Sequence, residues 1–303
     1  MIKRPKPVKF RLRRTMLFLS AQKPGLIKDP TIYGADSIIL DLEDAVAENQ
    51  KDAARFSLYH ALTTIDYGET EVLVRINGLD TPHWREDIRV CVAGGVDGIR
   101  IAKCESARDV QTVEEAVEKA EEEFGVSKGR TLLMAALESP TGILNAYEIC
   151  TASNRLFGVA ISGGDLRKSL QVTPTSSGIE MMVARGQVIL AARAAGIQCF
   201  DTVFTNLNDM DGFRSEVIQN KQMGFDGKSL VNPKQIKIVH EIFAPTPKEI
   251  AEAEKIVRAV SENREKGIGI FTVDGKMVDI AFLPGAERTI ALAKACGIYE
   301  GDL

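Results

Sequence analysis

Thr131-Leu132-Leu133-Met134-Ala135-Ala136-Leu137-Glu138-Ser139-Pro140 and, further on, Leu156-Phe157-Gly158-Val159-Ala160-Ile161-Ser162-Gly163-Gly164-Asp165 decide the fold. Each is a continuous apolar run that ends on a carboxylate. Runs without polar alternation mark strands buried on both faces of a parallel sheet. Pro140 stops the first strand just after Glu138, and Gly163-Gly164 permit a tight turn or a close backbone approach before Asp165. A buried strand that delivers a charged group at its C-terminal end is how parallel α/β folds place active-site residues. Val72-Leu73-Val74-Arg75 and Ile38-Ile39-Leu40-Asp41-Leu42-Glu43-Asp44 follow the same plan.

Working outward, apolar segments recur at residues 15–21, 37–42, 71–76, 98–102, 131–137, 156–161, 199–204 and 225–231. Helical patterns lie between them. Ser106 is placed to cap a helix carrying Val110, Val113, Val117, Ala120 and Phe124 on one face and ending at Gly125. Another pattern runs from Gly178 to Ala195 and stops at Gly196. Eight strands in about 220 residues predict a closed (β/α)8 TIM barrel, an α/β fold, over residues 15–240. No GxGxxG follows the first strand, which removes the main argument for a dinucleotide-binding sheet. Beyond Asn232-Pro233, Thr246-Pro247-Lys248-Glu249 reads as a capping box opening a helix to about Arg264. Strands at 267–273 and 276–282 flank the hairpin signal Asp274-Gly275, and a last helix runs from Ala286 to Ala295. This helix–hairpin–helix extension, residues 241–303, is too small for a large core and is expected to pack on the barrel or on a neighbouring subunit.

Among the 303 residues, 38 are basic and 42 acidic, for a net charge of −4. That near-balance offers no global attraction to nucleic acid. Five scattered cysteines without a CxxC pair read as reduced thiols, which suits a cytoplasmic protein. No apolar stretch approaches a membrane span, and Met16-Leu17-Phe18-Leu19 is too short for a signal-peptide core. Residues 1–14 form a basic N-terminal extension with Lys3, Arg4, Lys6, Lys9, Arg11, Arg13 and Arg14. It reads first as a solvated tail, and second as a docking surface for an acidic partner such as a carrier protein.

Glu138 and Asp165, on consecutive strands, suit Mg²⁺, which favours oxygen ligands and keeps positions for water and substrate. The competing readings are a loop salt bridge for Glu138 and a helix cap for Asp165. Arg75 sits late in an apolar strand, where an unpaired guanidinium costs several kcal/mol. A substrate carboxylate or the Asp41, Glu43 and Asp44 group supplies its partner. Those three acids are expected to hold Arg75, Arg14 or Lys103 in place around the site. Nothing in the sequence argues for a Schiff-base role at Lys103, so a paired lysine is expected there. Asp226-Gly227-Lys228-Ser229 reads either as a phosphate-facing loop or as a structural turn. The three histidines lie far apart, and no GxSxG elbow or P-loop is present.

These residues carry a resemblance. Arg13-Arg14-Thr15-Met16-Leu17-Phe18, Leu40-Asp41-Leu42-Glu43-Asp44-Ala45-Val46, Val74-Arg75-Ile76-Asn77 and Ala136-Leu137-Glu138-Ser139-Pro140 are similar to motifs of the citrate lyase β-subunit family within the HpcH/HpaI aldolase superfamily. Gly224-Phe225-Asp226-Gly227-Lys228-Ser229-Leu230 with Asn232-Pro233, and Gly275-Lys276-Met277-Val278-Asp279, resemble the same branch, so the likeness spans nearly the whole chain. It implies a TIM barrel, a homo-oligomeric core, and Mg²⁺-dependent cleavage of a citryl thioester to oxaloacetate and an acetyl thioester. The thioester would be carried by an acyl-carrier (gamma) subunit or by CoA, in a complex that also holds an alpha subunit. By motif, Arg75 and Glu138 match the catalytic and substrate-binding positions, and Glu138 with Asp165 the metal ligands. The general base stays open between the Asp41/Glu43/Asp44 group, a metal-bound hydroxide and a group from another subunit.

The chain departs from the family where Gly-Ala-Glu-Asp-Tyr is replaced by Ser162-Gly163-Gly164-Asp165-Leu166, and Val-Pro-Gly by Leu19-Ser20-Ala21. Two other functions therefore compete with the lyase subunit. One is a stand-alone malyl- or citramalyl-CoA-type lyase or thioesterase. The other is a catalytically impaired barrel serving as scaffold in a lyase complex.

Overall fold

A computed structural model describes residues 7–265 and 268–303. Eight parallel strands close into a barrel in sequence order: β1 (Thr15–Ser20), β2 (Ser37–Asp41), β3 (Glu71–Ile76), β4 (Gly98–Ile101), β5 (Leu132–Leu137), β6 (Leu156–Ile161), β7 (Gln198–Asp201) and β8 (Gly227–Leu230). The expected (β/α)8 barrel is thus present. β1 pairs with both β2 and β8, the closing seam setting Thr15 opposite Lys228. Gly227 is required at that seam: a Cβ there would stand 2.1 Å from the Arg13 carbonyl oxygen, closer than any side chain tolerates.

Period-two alternation decides what fills the interior. Met16, Ile39, Leu73, Leu132, Met134, Phe157, Ala160 and Phe200 form one buried cluster, with Phe18 packed on it. Two residues beyond Ile39 and Leu73 stand Asp41 and Arg75, and Arg100 of β4 joins them towards the C-terminal end. Asp41 is the register partner of Arg75, and Arg75 of Arg100. The strands therefore build an apolar plug below a charged layer.

Outer helices form where the sequence supplies caps. Ser106 Oγ accepts the Asp109 N–H, and Asp109 returns the bond to the Ser106 N–H, the full capping box for helix Ala107–Glu123. Helix Met182–Ala195 ends on Gly196 in the left-handed region. Between β5 and β6 run two short helices, Pro140–Leu144 and Ala146–Cys150.

Two expectations need correction. The basic segment is not a solvated tail over its described part; Lys3, Arg4 and Lys6 lie outside the described residues. Arg13 is buried, bonded through Nε and Nη2 to Glu71 at 2.7 Å each, with its guanidinium 3.9 Å above the Phe157 ring. Arg14 grips Asp36 through its backbone N–H and its guanidinium. Since both precede β1, they brace the N-terminal rim, and Arg14 is remote from the strand ends where it was expected.

Nor does Lys228 face a phosphate. It is fully buried, donating from Nζ to Asp201 at 3.0 Å, the Thr202 carbonyl at 2.6 Å and Glu216 at 2.6 Å. Arg185 completes the network, pairing with both Asp201 oxygens and with Glu216. Residues 227–229 are neither a phosphate-facing loop nor a turn: they belong to strand β8, and Lys228 and Ser229 point to its opposite faces.

A second unit comprises His240–Leu303. Thr246 and Glu249 exchange the predicted capping-box bonds at the start of helix Pro247–Glu265. β9 (Ile270–Val273) and β10 (Lys276–Asp279) form the antiparallel hairpin around Asp274-Gly275. Gly267, the expected start of that hairpin, lies outside the described residues. Helix Leu283–Ala295 follows, and Ala253, Ala286 and Ile290 anchor a small core. Among the described residues, no helix is long and apolar enough to cross a membrane.

Candidate active site

At the C-terminal ends of the barrel strands lies a cavity of about 400 Å³, within the usual range for small-molecule sites. Phe18, Arg75, Arg100, Glu138, Asp165 and Ser229 are among its walls. A groove of about 470 Å³, lined by Lys103, Ser139 and Lys168, shares Glu138 and Asp165 with it and gives a polar approach. A larger cavity of about 720 Å³ sits among the outer helices around Val90 and Phe124. No convergent acids line it, so size does not make it the chemical centre.

The acids at the end of β2 divide their work. Asp41 takes Arg75 Nε and Nη2 bidentately at 2.7 Å each, and its own oxygens are fixed by the backbone N–H groups of Glu43 and Ala45. Glu43 lies 2.8 Å from Arg75 Nη1 and 2.8 Å from Lys103 Nζ. Asp44 is more exposed, reaching Arg75 at 3.4 Å. Burial opposes the Arg75 charge, but Asp41 and then Glu43 outweigh it and hold the guanidinium above its ordinary pKa. Arg75 thus faces the cavity already neutralised along one edge by the β2 acids. Lys103 joins the same group, whereas Arg14 does not.

Glu138 sits just past β5 and is buried. Its Oε1 accepts the Lys103 backbone N–H at 3.2 Å, while Oε2 has no hydrogen-bond partner among the described residues. Lys103 is itself held in the left-handed region at φ 50°, a conformation that costs a β-carbon-bearing residue about 1 kcal/mol and here aims its N–H at Glu138. Burial, reinforced by the neighbouring Glu43 charge, pushes the Glu138 carboxyl up to about 7. A buried carboxylate oxygen without a donor is stabilised by a cation. Asp165 stands in the first turn of helix Gly163–Leu170, half-buried, with no hydrogen bond or ion pair among the described residues. Ser162, not Asp165, occupies the helix cap.

Glu138 and Asp165 line the same cavity, so these two carboxylates fit a divalent cation. Among the described residues, no group of three or more His, Cys, Asp or Glu assembles. A cation held by these two would take its other ligands from substrate oxygens and water, as Mg²⁺ commonly does.

Arg100 was not anticipated. In the sequence it lies inside the short strand Gly98-Ile99-Arg100-Ile101, whereas Lys103 is the basic residue at the strand end. The signal was available as alternation: Arg75 and Arg100 occupy inward positions of adjacent strands. Only the register shows that they are level. Gly164 also takes on meaning: a Cβ there meets nothing within 4 Å, so the residue leaves space at the cavity wall where the resembled family places glutamate.

The HpcH/HpaI aldolase/citrate lyase family profile matches residues 14–233, and that of the C-C bond lyases of the TIM-barrel fold matches residues 169–298. The citrate lyase subunit beta of Leuconostoc mesenteroides subsp. cremoris is 48% identical over 96% of this chain and 97% of its own length. A (3S)-malyl-CoA thioesterase of Cereibacter sphaeroides is 36% identical over 94% of this chain and 96% of its own. The crystal structure of CitE from Mycobacterium tuberculosis with magnesium, acetoacetate and coenzyme A superposes with a TM-score of 0.75 at 28% identity, covering 93% of this chain and 98% of that one.

Proposed function

From the chain's membership of the HpcH/HpaI aldolase/citrate lyase family, we propose that it is a Mg²⁺-dependent carbon–carbon lyase that splits a citryl thioester into oxaloacetate and an acetyl thioester, as the β subunit of a citrate lyase. The observation that carries this reading is the pair of strand-end carboxylates, Glu138 and Asp165, opening on one cavity beside two guanidinium groups.

The reaction removes the proton of the tertiary hydroxyl, breaks the adjacent carbon–carbon bond and leaves the electron pair on the thioester as an enolate. Protonation of the enolate carbon then gives the acetyl thioester. Bound at Glu138 and Asp165, Mg²⁺ would supply Lewis acidity to the α-hydroxy carboxylate. The protein's own groups do the rest. Arg75, fixed by Asp41, presents positive charge beside the cavity without having to reorganise, which is how preorganised dipoles and charges lower barriers. Lys103 and Glu43 hold the Glu138 side of the site through the Lys103 N–H and the Lys103–Glu43 ion pair. Of the three β2 acids, Asp44 is the one not locked into a bidentate or double ion pair. Its carboxylate lines the cavity and is the best-placed protein group to accept the hydroxyl proton.

The approach groove shared by Glu138 and Asp165 suits a thioester arm entering from solvent. We assign the arm to an acyl-carrier (gamma) subunit working with an alpha subunit, around a homo-oligomeric β core in the cytoplasm. The expected result is a lower KM for a citryl group on the carrier than on CoA. Turnover with either should vanish in EDTA and return with Mg²⁺. Equal KM values would remove the carrier assignment, and EDTA-resistant turnover would remove the metal. The malyl-type alternative is supported by the 36% identical thioesterase, less strongly than the lyase reading. The scaffold alternative rested on the altered Ser162-Gly163-Gly164-Asp165-Leu166 segment. The retained cavity with Glu138 and Asp165 argues against it.

A further inference from the structure

We infer that Arg100 is the residue that recognises the second free carboxylate of a citryl thioester, the one a malyl thioester lacks; this rests on the lyase reading above. The guanidinium is 1% exposed and lines the cavity. Its Nη1 donates to Ser229 Oγ at 3.3 Å and its Nη2 to Ser162 Oγ at 3.1 Å, while its Nε has no partner among the described residues. Among the described residues no carboxylate lies within 4 Å of it. Every other fully buried cation has one: Arg13 has Glu71, and Arg185 and Lys228 share Asp201. Arg75, one strand away, has Asp41 and Glu43.

A buried guanidinium without a counter-ion is costly, and two hydroxyl groups and the Phe18 ring 5.1 Å away do not replace a carboxylate. Burial and the nearby Arg75 charge lower its pKa to about 10, so it remains cationic at neutral pH. Glu138, Asp41 and Glu43 offset part of that charge from a distance, but none touches the guanidinium, so an incoming anion supplies its contacting carboxylate.

The substrate supplies a matching group. A citryl thioester retains two carboxylates. One is α to the hydroxyl and belongs with it at Glu138 and Asp165. The other ends the CH₂ arm that stays with oxaloacetate. In a malyl thioester that arm is absent and the carbonyl product is the aldehyde glyoxylate. Arg100 is the available cation for the extra arm, because the Arg75 fork is already taken by Asp41. Ser162 and Ser229 aim it by holding one nitrogen each. Ser162 is one of the positions where the chain departs from its family, so that departure adjusts the anion site.

The test measures kcat/KM for citryl-CoA and for (3S)-malyl-CoA, both with Mg²⁺, on wild type, Arg100→Met and Arg100→Lys. The ratio within one variant cancels any loss of folded protein. Arg100→Met is expected to lower the citryl-to-malyl ratio by roughly 100-fold, the scale of one charge-assisted hydrogen-bonded pair, with Arg100→Lys between it and wild type. Binding of oxaloacetate, followed by calorimetry, should weaken in Arg100→Met while that of pyruvate, which lacks the second carboxylate, changes little. Removing an unpaired buried charge should leave the melting temperature at or above that of wild type. An unchanged ratio, with or without a lower melting temperature, would make Arg100 structural and overturn the inference. A wild type that cleaves neither thioester would instead overturn the lyase reading itself.

Discussion

Glu138→Gln is expected to lower kcat/KM for citryl-thioester cleavage by about three orders of magnitude or more while leaving the barrel folded. Glutamine keeps the carbonyl-type oxygen that accepts the Lys103 N–H and removes only the charge at the unpartnered oxygen. The loss should therefore appear in Mg²⁺ affinity and in turnover, read by calorimetric titration and steady-state kinetics, with an unchanged circular dichroism spectrum. The carboxyl also sets a pH signature. Burial first, and Glu43 second, raise its pKa in the folded protein to about 7 from an ordinary 4.5. The folded state then holds the proton more tightly than the unfolded state, so this group favours folding below pH 4.5 and loses that contribution as pH rises through 7. In EDTA, the melting temperature of wild type should fall from pH 5 to pH 8 relative to Glu138→Gln. Mg²⁺ should restore it at pH 8, where the carboxylate is free to bind. A wild type and variant with parallel pH profiles would contradict the assignment.

Asp201→Asn is expected to destabilise the barrel by about 3–5 kcal/mol in urea unfolding at pH 7. Asp201 is fully buried at the end of β7 and is the shared counter-ion of Arg185 and Lys228, leaving those cations only Glu216 if it is neutralised. A loss of that size is a large part of the 5–15 kcal/mol typical of a domain. Burial alone would push the Asp201 carboxyl up, but Lys228 and then Arg185 outweigh it and bring it down to about 2. Its stabilising contribution is therefore present above the ordinary value of 3.8 and is lost as pH falls through 2. The gap between wild type and variant should accordingly narrow as the solution is acidified from pH 5 to pH 2. A gap that stays constant over that range would show that the network is not held by the Asp201 charge.

The barrel was legible because buried parallel strands leave a local mark, a continuous apolar run closed by a polar residue. The boundaries of β3 and β6 coincide with those runs, and β7 alone stops well short, at Asp201, where its carboxylate is captured by Arg185 and Lys228. Glu138, Asp165 and Arg75 were legible for the same reason, as strand-end charges. What the sequence concealed depends on register and on which face a side chain takes. Arg100 shares a level with Arg75 only through the β3–β4 pairing. Lys228 and Ser229 are neighbours in sequence, yet one is locked against Asp201 outside the sheet and the other reaches Arg100 inside it. Arg14 looked equivalent to the other basic residues near the site, but it precedes its strand and so belongs to the opposite rim, on Asp36.

The most direct test of the account is a product balance: purified protein, citryl-CoA and Mg²⁺, with oxaloacetate, acetyl-CoA and free CoA quantified over one time course. Oxaloacetate and acetyl-CoA are expected in equal amounts, with no accumulation of free CoA and no reaction in EDTA. Release of free CoA and citrate without oxaloacetate would contradict it, because that outcome is hydrolysis of the thioester rather than cleavage of the carbon–carbon bond.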